Sequence, residues 1–259
     1  MKILTLTTDL GTKDHYASTI NGSVWLQNPH VHISPISHEV KPHNVNQGSF
    51  LLKQAWSFFP KGTVHIFNVN NQAVLNKENL LIECKGHYFL LPDNGAISLI
   101  LGEQEKKVYS LPAIQPGMNL IRDLFVLFAC QLFEGVEPSE LGELTDGYRT
   151  LAQLVPTVHE NSLRAYVEHV DAYGNLITNV SKKLFQQHVK NGEMNIVLRE
   201  ARERLRAIHE HYQDVPQGNL MAFFNEANLL ELAINQGNAS KLLNMHVNDM
   251  VVIEFKSDD

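Results

Sequence analysis

The sequence predicts an α/β N-terminal domain with a mainly parallel sheet, followed by a smaller, mostly antiparallel β domain. Three observations carry this. Strand-like and helix-like segments alternate through residues 1–155, the pattern expected of βαβ units. After Pro156 the rhythm changes to short strand-like runs joined mainly by polar turns. And 259 residues, at about 100 to 200 per domain, accommodate two cores. The expected division is therefore residues 1–155 and 156–259.

Lys2 to Thr7, rich in Ile, Leu and Thr, reads as the first strand and runs into the loop Thr8 to Asp14. Asp14 is placed to cap a helix over about Tyr16 to Leu26, which Asn28-Pro29 would end. A strand follows at Val31 to Ile36. Apolar residues at helical spacing from Val45 to Phe59 predict a second helix, stopped by Pro60-Lys61-Gly62. Thr63 to Val69 reads as a buried strand. Leu80 to Cys84 and Tyr88 to Leu91 are two more, before the turn Pro92-Asp93-Asn94-Gly95. Helices are expected at Ala96 to Leu101 and about Arg122 to Phe133. Beyond Pro156, strands are expected at Leu163 to Val170, Leu176 to Val180, Met194 to Leu198, Leu220 to Phe224, Leu229 to Ile234 and Met250 to Phe255. The charged stretch Arg199 to Tyr212 reads as a surface helix.

Composition excludes several function classes. A formal charge of −7 and a pI near 6.0 give no long-range attraction to phosphate backbones, which argues against nucleic acid as a partner. The charge is even along the chain: residues 1–155 carry 11 basic and 14 acidic side chains, residues 156–259 carry 10 and 14, so no basic module is concealed. Cys84 and Cys130 have no regular spacing and read as inert core residues rather than a disulfide framework or zinc site. The first ten residues are too short and too polar for a signal peptide, and no window reaches the roughly 18 apolar residues of a bilayer span. No membrane partner and a reducing, cytoplasmic setting are the expectation.

The chain has no GxGxxG, no GxxxxGK[ST] and no GxSxG, which removes kinase, P-loop and α/β-hydrolase readings. Histidine is plentiful, with 13, but His30/His32, Glu39/His43 and His209-Glu210-His211 lack metal-ligand spacing, so no metal site is expected. Three polar clusters in apolar contexts remain. Asp9 and Asp14 lie in the loop after the first strand, where ligands bind in parallel α/β sheets. A carboxylate there accepts two hydrogen bonds from a vicinal diol such as a ribose; equally, Asp14 serves as a helix cap and Asp9 as a turn residue. His169 to Asn179 and Pro92 to Gly95 are the other two, both also readable as turns.

At these residues the sequence resembles a known family. Thr7-Thr8-Asp9-Leu10-Gly11 with Asp14 and Tyr16 is similar to the opening TTDFGxxDxYV of the S-adenosylmethionine (SAM) hydroxide adenosyltransferases, relatives of fluorinase and chlorinase. Ser37-His38-Glu39-Val40 resembles ITHEI, Phe59 to His65 resembles FPxGTVH, and Pro92-Asp93-Asn94-Gly95 matches PDNG. Arg122 to Phe125 resembles GRDxF, Val170 to Asn175 resembles VDxFGN, and Leu230 to Ala239 resembles LEIAVNxGSA. The ordered set runs from residue 3 to about residue 251.

The resemblance implies an N-terminal α/β domain, a C-terminal β domain and a homotrimer, with SAM or adenosine held between the N-domain of one subunit and the C-domain of the next. SAM would be a substrate or ligand, and no cofactor is expected. Carried over by position, Asp9 would hold the ribose hydroxyls, while Asp14 and Asp171 would face the methionine amino group. Asn175 and the backbone near Ala239 would read the adenine edge, with Tyr173 against the ring. An acidic site suits a ligand carrying a sulfonium and an ammonium.

The departures are equally specific. The family prepares water for attack at ribose C5′ with an Asp, an Arg and a His. Asn70 stands at the Asp position, only Lys77 is near the Arg position, and Leu120, followed by Ile121, stands at the His position. Glu226 replaces a common Ser. The resemblance therefore implies a SAM- or adenosine-binding member with degraded or lost turnover; the alternatives are an active SAM hydrolase giving adenosine and methionine, and a structural trimer with a closed pocket.

Overall fold

The computed structural model describes residues 1–71, 79–114, 117–189, 193–198 and 204–255. They form two compact units, Met1–Ala152 and Gln153–Asp259.

In the first unit, β1 (Lys2–Thr8) leads to α1 (Tyr16–Gln27), β2 (Val31–Ser37), α2 (Val45–Ala55) and β3 (Val64–Asn68). Next come β4 (Asn79–Cys84), β5 (His87–Pro92), α3 (Ala96–Leu101) and β6 (Lys107–Leu111). A π-helical turn (Leu120–Phe125) runs into α4 (Val126–Phe133), then α5 (Pro138–Leu141) and the short β7 (Glu143–Leu144). The strands make one mixed sheet of order β2-β1-β3-β5-β4-β6-β7.

The pairs β1/β2, β1/β3 and β3/β5 are parallel, as expected of this half. The remainder is antiparallel: β4 pairs with β5 and β6, and β6 with β7. The mainly parallel sheet of the sequence reading is thus confined to four strands. Only Lys85-Gly86, both at positive φ, separate β4 from β5. Two residues suffice for a hairpin and not for the crossover a parallel pair requires.

Alternating side chains serve two cores. Leu4, Leu6, Val64, Ile66, Leu81 and Leu90 meet Ile20 and Val24 of α1 and Phe125, Val126 and Ala129 from the π turn and α4. Phe67, Leu80, Ile82, Phe89 and Leu91 meet Leu52 of α2 and Ala96, Ile97 and Ile100 of α3. Helices on both faces explain why the central strands read as continuous apolar runs. Gly48 lets α2 approach closely, because a Cβ there would lie 2.9 Å from both Phe67 and Val69. Asn44 caps α2 by accepting from the Gln47 backbone N–H at 3.0 Å. The expected Asp14 cap of α1 is not formed: His15 occupies the N-cap, without a side-chain cap bond.

The second unit contains β8 (Thr157–His159), β9 (Ser162–Val170), β10 (Leu176–Ser181), α6 (Lys182–His188), β11 (Met194–Leu198), β12 (Leu220–Phe224), β13 (Leu229–Ile234), α7 (Ala239–Leu242) and β14 (Met250–Phe255). The sheet order is β11-β14-β9-β10-β13-β12, with β8 on β9, and every pair is antiparallel. Its core gathers Leu163, Ala165, Val167, Leu176, Leu230, Leu232, Val251 and Ile253.

The expected surface helix is absent from the described part of its range. Residues 199–203 lie outside the described residues, and Leu205 instead forms an isolated bridge with Ile196. Leu205 and Ile208 pack on the second core, so their burial outweighs the helical propensity of a charged run. Among the described residues, no helix is long and apolar enough to cross a membrane.

Candidate functional site

In the first unit, β1 and β3 are adjacent and parallel, while the chain leaves β1 toward β2 on its other side. Such a reversal opens a crevice beyond the strand C-termini, where ligands bind in open α/β sheets. Asp9 follows β1 at this point, half-buried. Its Oδ2 accepts the backbone N–H of His43 at 2.9 Å and of Asn70 at 3.2 Å. Both donors sit in left-handed backbone, φ 63° and φ 55°, so two loops turn their amides onto one oxygen. Oδ1 accepts nothing among the described residues and is left for an outside donor.

The surrounding loops are tied together. Thr8 Oγ1 meets His38 Nδ1 at 2.9 Å, the Gly11 N–H donates to the His38 carbonyl at 2.7 Å, and Thr12 Oγ1 donates to Glu39 Oε1 at 2.5 Å. Burial pushes the His38 pKa below its ordinary value, so the ring is neutral at pH 7. In the Pro92 to Gly95 turn, Asn94 Nδ2 donates to the Val69 carbonyl at 2.9 Å, and Asp93 Oδ1 accepts the Arg149 N–H at 2.8 Å. Gly95, at φ 89°, has Leu151 where a Cβ would stand. Asp14 is exposed and outside this set of bonds. Asn70 contributes its backbone to Asp9. Leu120 begins the π turn and is buried in the first core, where its side chain offers no hydrogen bond. Lys77 lies outside the described residues.

In the second unit, Asp171, Tyr173, Asn175 and Ala239 come together. Asp171 Oδ1 accepts the N–H groups of Tyr173 at 2.9 Å and Asn175 at 2.8 Å, an Asx-type turn. Gly174, at φ 87°, allows Asn238 to approach where a Cβ would be 2.2 Å away. The Ser240 N–H donates to the Gly174 carbonyl at 2.8 Å, which seats Ala239 at the start of α7 against the turn. Tyr173 is 78% exposed, an aromatic face with nothing packed over it in this unit.

Asn175 is buried. Its Nδ2 donates to Asp171 Oδ2 at 3.2 Å and to the Tyr212 hydroxyl at 3.1 Å. Glu231, inside the apolar run of β13, is also buried and accepts from Asn225 Nδ2 at 3.0 Å. Burial raises its pKa above the ordinary carboxylate value. The Tyr212 ring packs edge-on against Phe223, Glu231's cross-strand neighbour, at 5.2 Å. Sequence reasoning gave no role to Tyr212 or Glu231. An acid within an apolar strand was the available signal for Glu231; Tyr212 was obscured by the charged run before it. Glu226 is exposed in the β12–β13 turn.

Family models match both units in order. The SAM hydroxide adenosyltransferase N-terminal domain covers residues 4–142 and the C-terminal domain covers residues 165–252. The chain belongs to the SAM hydroxide adenosyltransferase family. Relatives of this adenosyltransferase-family chain extend over nearly its whole length. The (R)-S-adenosyl-L-methionine hydrolase of Methanocaldococcus jannaschii is 26% identical, covering 98% of this chain and 97% of the relative. That of Thermus thermophilus is 24% identical over 92% and 93%. A crystal structure of an uncharacterized conserved protein from Thermotoga maritima superposes with a TM-score of 0.88 at 27% identity, covering 97% and 99%. A conserved hypothetical protein from Thermus thermophilus, 23% identical with a TM-score of 0.74, shares the fold. Among the described residues, no group of three or more His, Cys, Asp or Glu side chains could hold a metal ion.

Proposed function

We propose that this chain is a SAM hydrolase, in which water attacks ribose C5′ and releases adenosine and L-methionine. The supporting observation is the match of both family domains, with relatives carrying that hydrolase name over more than nine-tenths of the chain. In this reading the free Oδ1 of Asp9 accepts from the ribose hydroxyls. Asp171 has about four acceptor positions, of which its turn uses three. The remaining position and its charge, with Asp14, face the methionine ammonium. Asn175 and the Ala239 backbone read the adenine edge, and Tyr173 lies against the ring. A homotrimer would bring these groups from neighbouring copies onto one SAM molecule.

The reaction forms a bond from water oxygen to C5′ as the C5′–S bond breaks. Sulfur keeps the electron pair and leaves as the neutral thioether of methionine, while water gives its proton to solvent. The sulfonium is a good leaving group, so alignment and desolvation supply acceleration. With Asn70 and Leu120 providing no base, turnover is expected to fall roughly 10² to 10⁴ below that of a site with a positioned base. Those two side chains favour one other reading, a SAM- or adenosine-binding protein with lost turnover.

Incubation with SAM in ¹⁸O-water decides between them. Hydrolysis gives equimolar adenosine and methionine with the label in the adenosine 5′-hydroxyl. Binding of SAM by calorimetry without either product establishes the second reading. No binding of SAM or adenosine rejects both and leaves a structural role.

A further inference from the structure

Glu231 is a buried acid that serves neither core. Its neighbours Leu230 and Leu232 belong to the second core, and strand alternation puts Glu231 on the opposite face, level with Ile177 of β10 and Phe223 of β12. It is nevertheless only 6% exposed. Asn225 donates to its Oε2 at 3.0 Å. Asn175, whose Nδ2 lies 3.2 Å from Asp171 Oδ2, also helps hold its charged form. One amide is thus shared between two carboxylates, and like charges in one cluster oppose each other's ionisation. Burial is the main reason that Glu231 keeps its proton more readily than an ordinary carboxyl, and the charge of Asp171 adds to it. Tyr212, bonded to Asn175 at 3.1 Å, is kept neutral because burial pushes its hydroxyl up. His169 joins this face through Ile177, and the segment that carries Tyr212 also brings His209, His211 and Asp214. Among the described residues, Asp171 is the charge that acts on Glu231.

We propose that Glu231 is a positioning residue that couples the site to ligand charge: acting through Asn175 and Asp171, it releases a proton to solvent when a cationic group docks against Asp171. This rests on the reading above, in which Asp171 faces the methionine ammonium. Without a cation, one proton relieves the repulsion between the two acids. With the ammonium in place the cation does so, and the proton leaves. Linkage fixes the sign. Binding that releases a proton strengthens as pH rises through the window between the ordinary carboxylate value and the raised one of Glu231. A neutral nucleoside leaves the Asp171 charge uncompensated and Glu231 protonated, so its affinity stays level through the same window. Rising pH therefore favours a ligand with an amino-acid tail over bare adenosine, the nucleoside product of the proposed reaction.

The experiment is calorimetric titration of the full chain with S-adenosylhomocysteine and with adenosine. S-adenosylhomocysteine keeps the ammonium of SAM and lacks the sulfonium leaving group, so binding is read without turnover. Between about pH 5 and about pH 7 the wild-type affinity for S-adenosylhomocysteine is expected to rise about threefold or more, and that for adenosine to stay level. Heats in two buffers of different ionisation enthalpy count the protons directly in wild type, with release expected for S-adenosylhomocysteine and none for adenosine. Glu231→Gln should abolish both the rise and the release, whereas a merely structural role would weaken the two ligands alike and leave the pH profile in place. Parallel pH profiles for the two ligands in wild type, or a rise that survives in Glu231→Gln, would overturn this inference while leaving the nucleoside reading intact. Binding of neither ligand to wild type overturns that reading and this inference together.

Discussion

Asp9 and Asp171 are both turn carboxylates after strands, yet they are satisfied in different ways. Asp9 accepts backbone amides 34 and 61 residues away, whereas Asp171 accepts amides two and four residues on. The first therefore exists as a site only once β1, β3 and the loop before α2 have been brought together. The second is assembled by its own turn. The buried titratable groups differ as well. The N-terminal unit seals a basic chain, with Thr5 Oγ1 2.7 Å from His65 Nδ1 and His65 Nε2 3.2 Å from His87 Nδ1. The C-terminal unit seals an acid, Glu231. The contrast teaches that the two units depend on folding, and on pH, in separate ways.

The largest effect is expected from Asp9→Ala, which leaves two amides from distant loops without an acceptor. At about 1.5 kcal/mol for each charge-assisted bond, the loss is about 3 kcal/mol. Asp171→Ala, relaxing within one turn, should cost about 1 kcal/mol. Urea unfolding of the two variants checks the difference, and equal losses would erase the distinction between a long-range tie and a local turn.

Acid gives the next effect. Burial first, then the charge of His87, lowers the His65 pKa from 6.5 to about 3. Between those values the unfolded chain binds a proton that the folded chain refuses, so stability falls as pH drops below about 6.5. Between pH 6.5 and pH 5 the loss is about 2 kcal/mol. Urea midpoints at stepped pH should show this slope in wild type and a flatter one in His65→Gln; identical slopes would remove His65 as the cause.

Glu231 supplies the smallest effect, with the opposite sign. Its folded pKa is raised by burial, so the folded chain holds the proton more readily than the unfolded chain. The protonated form is favoured in the fold, and stability declines as pH rises above the ordinary carboxylate value toward the folded one. Glu231→Gln should remove this opposing contribution, so that stability climbs with pH more steeply than in wild type through that window while the His65 contribution stays in place. A variant whose climb is shallower than that of wild type would contradict the assignment.

The alternation of β1, α1, β2, α2 and β3 was legible because strands and helices there differ in period and are punctuated by Asn28-Pro29 and Pro60-Lys61-Gly62. The antiparallel half was not read from the same signal, since β4 and β5 are almost wholly buried and a two-sided apolar strand looks alike in either direction. Its direction was written in the shortness of Lys85-Gly86 instead. Local chemistry made the Asp171 turn visible, with Gly174 and Asn175 beside it. The Asp9 tie was less visible because its donors are backbone groups, which no residue name announces. Tyr212 was missed for a similar reason: its partner Asn175 is remote in sequence, and the charged residues before it imitated a helix.

The left-handed backbone at Asn70 bears on how this chain could change. Asparagine and aspartate tolerate that conformation, as glycine does, while β-branched and bulky residues resist it. Because the Asn70 N–H, and not its side chain, holds Asp9, an exchange of amide for acid at this position leaves that bond in place. Mutational drift at position 70 is thereby channelled toward a few residue types, one of which carries a carboxylate.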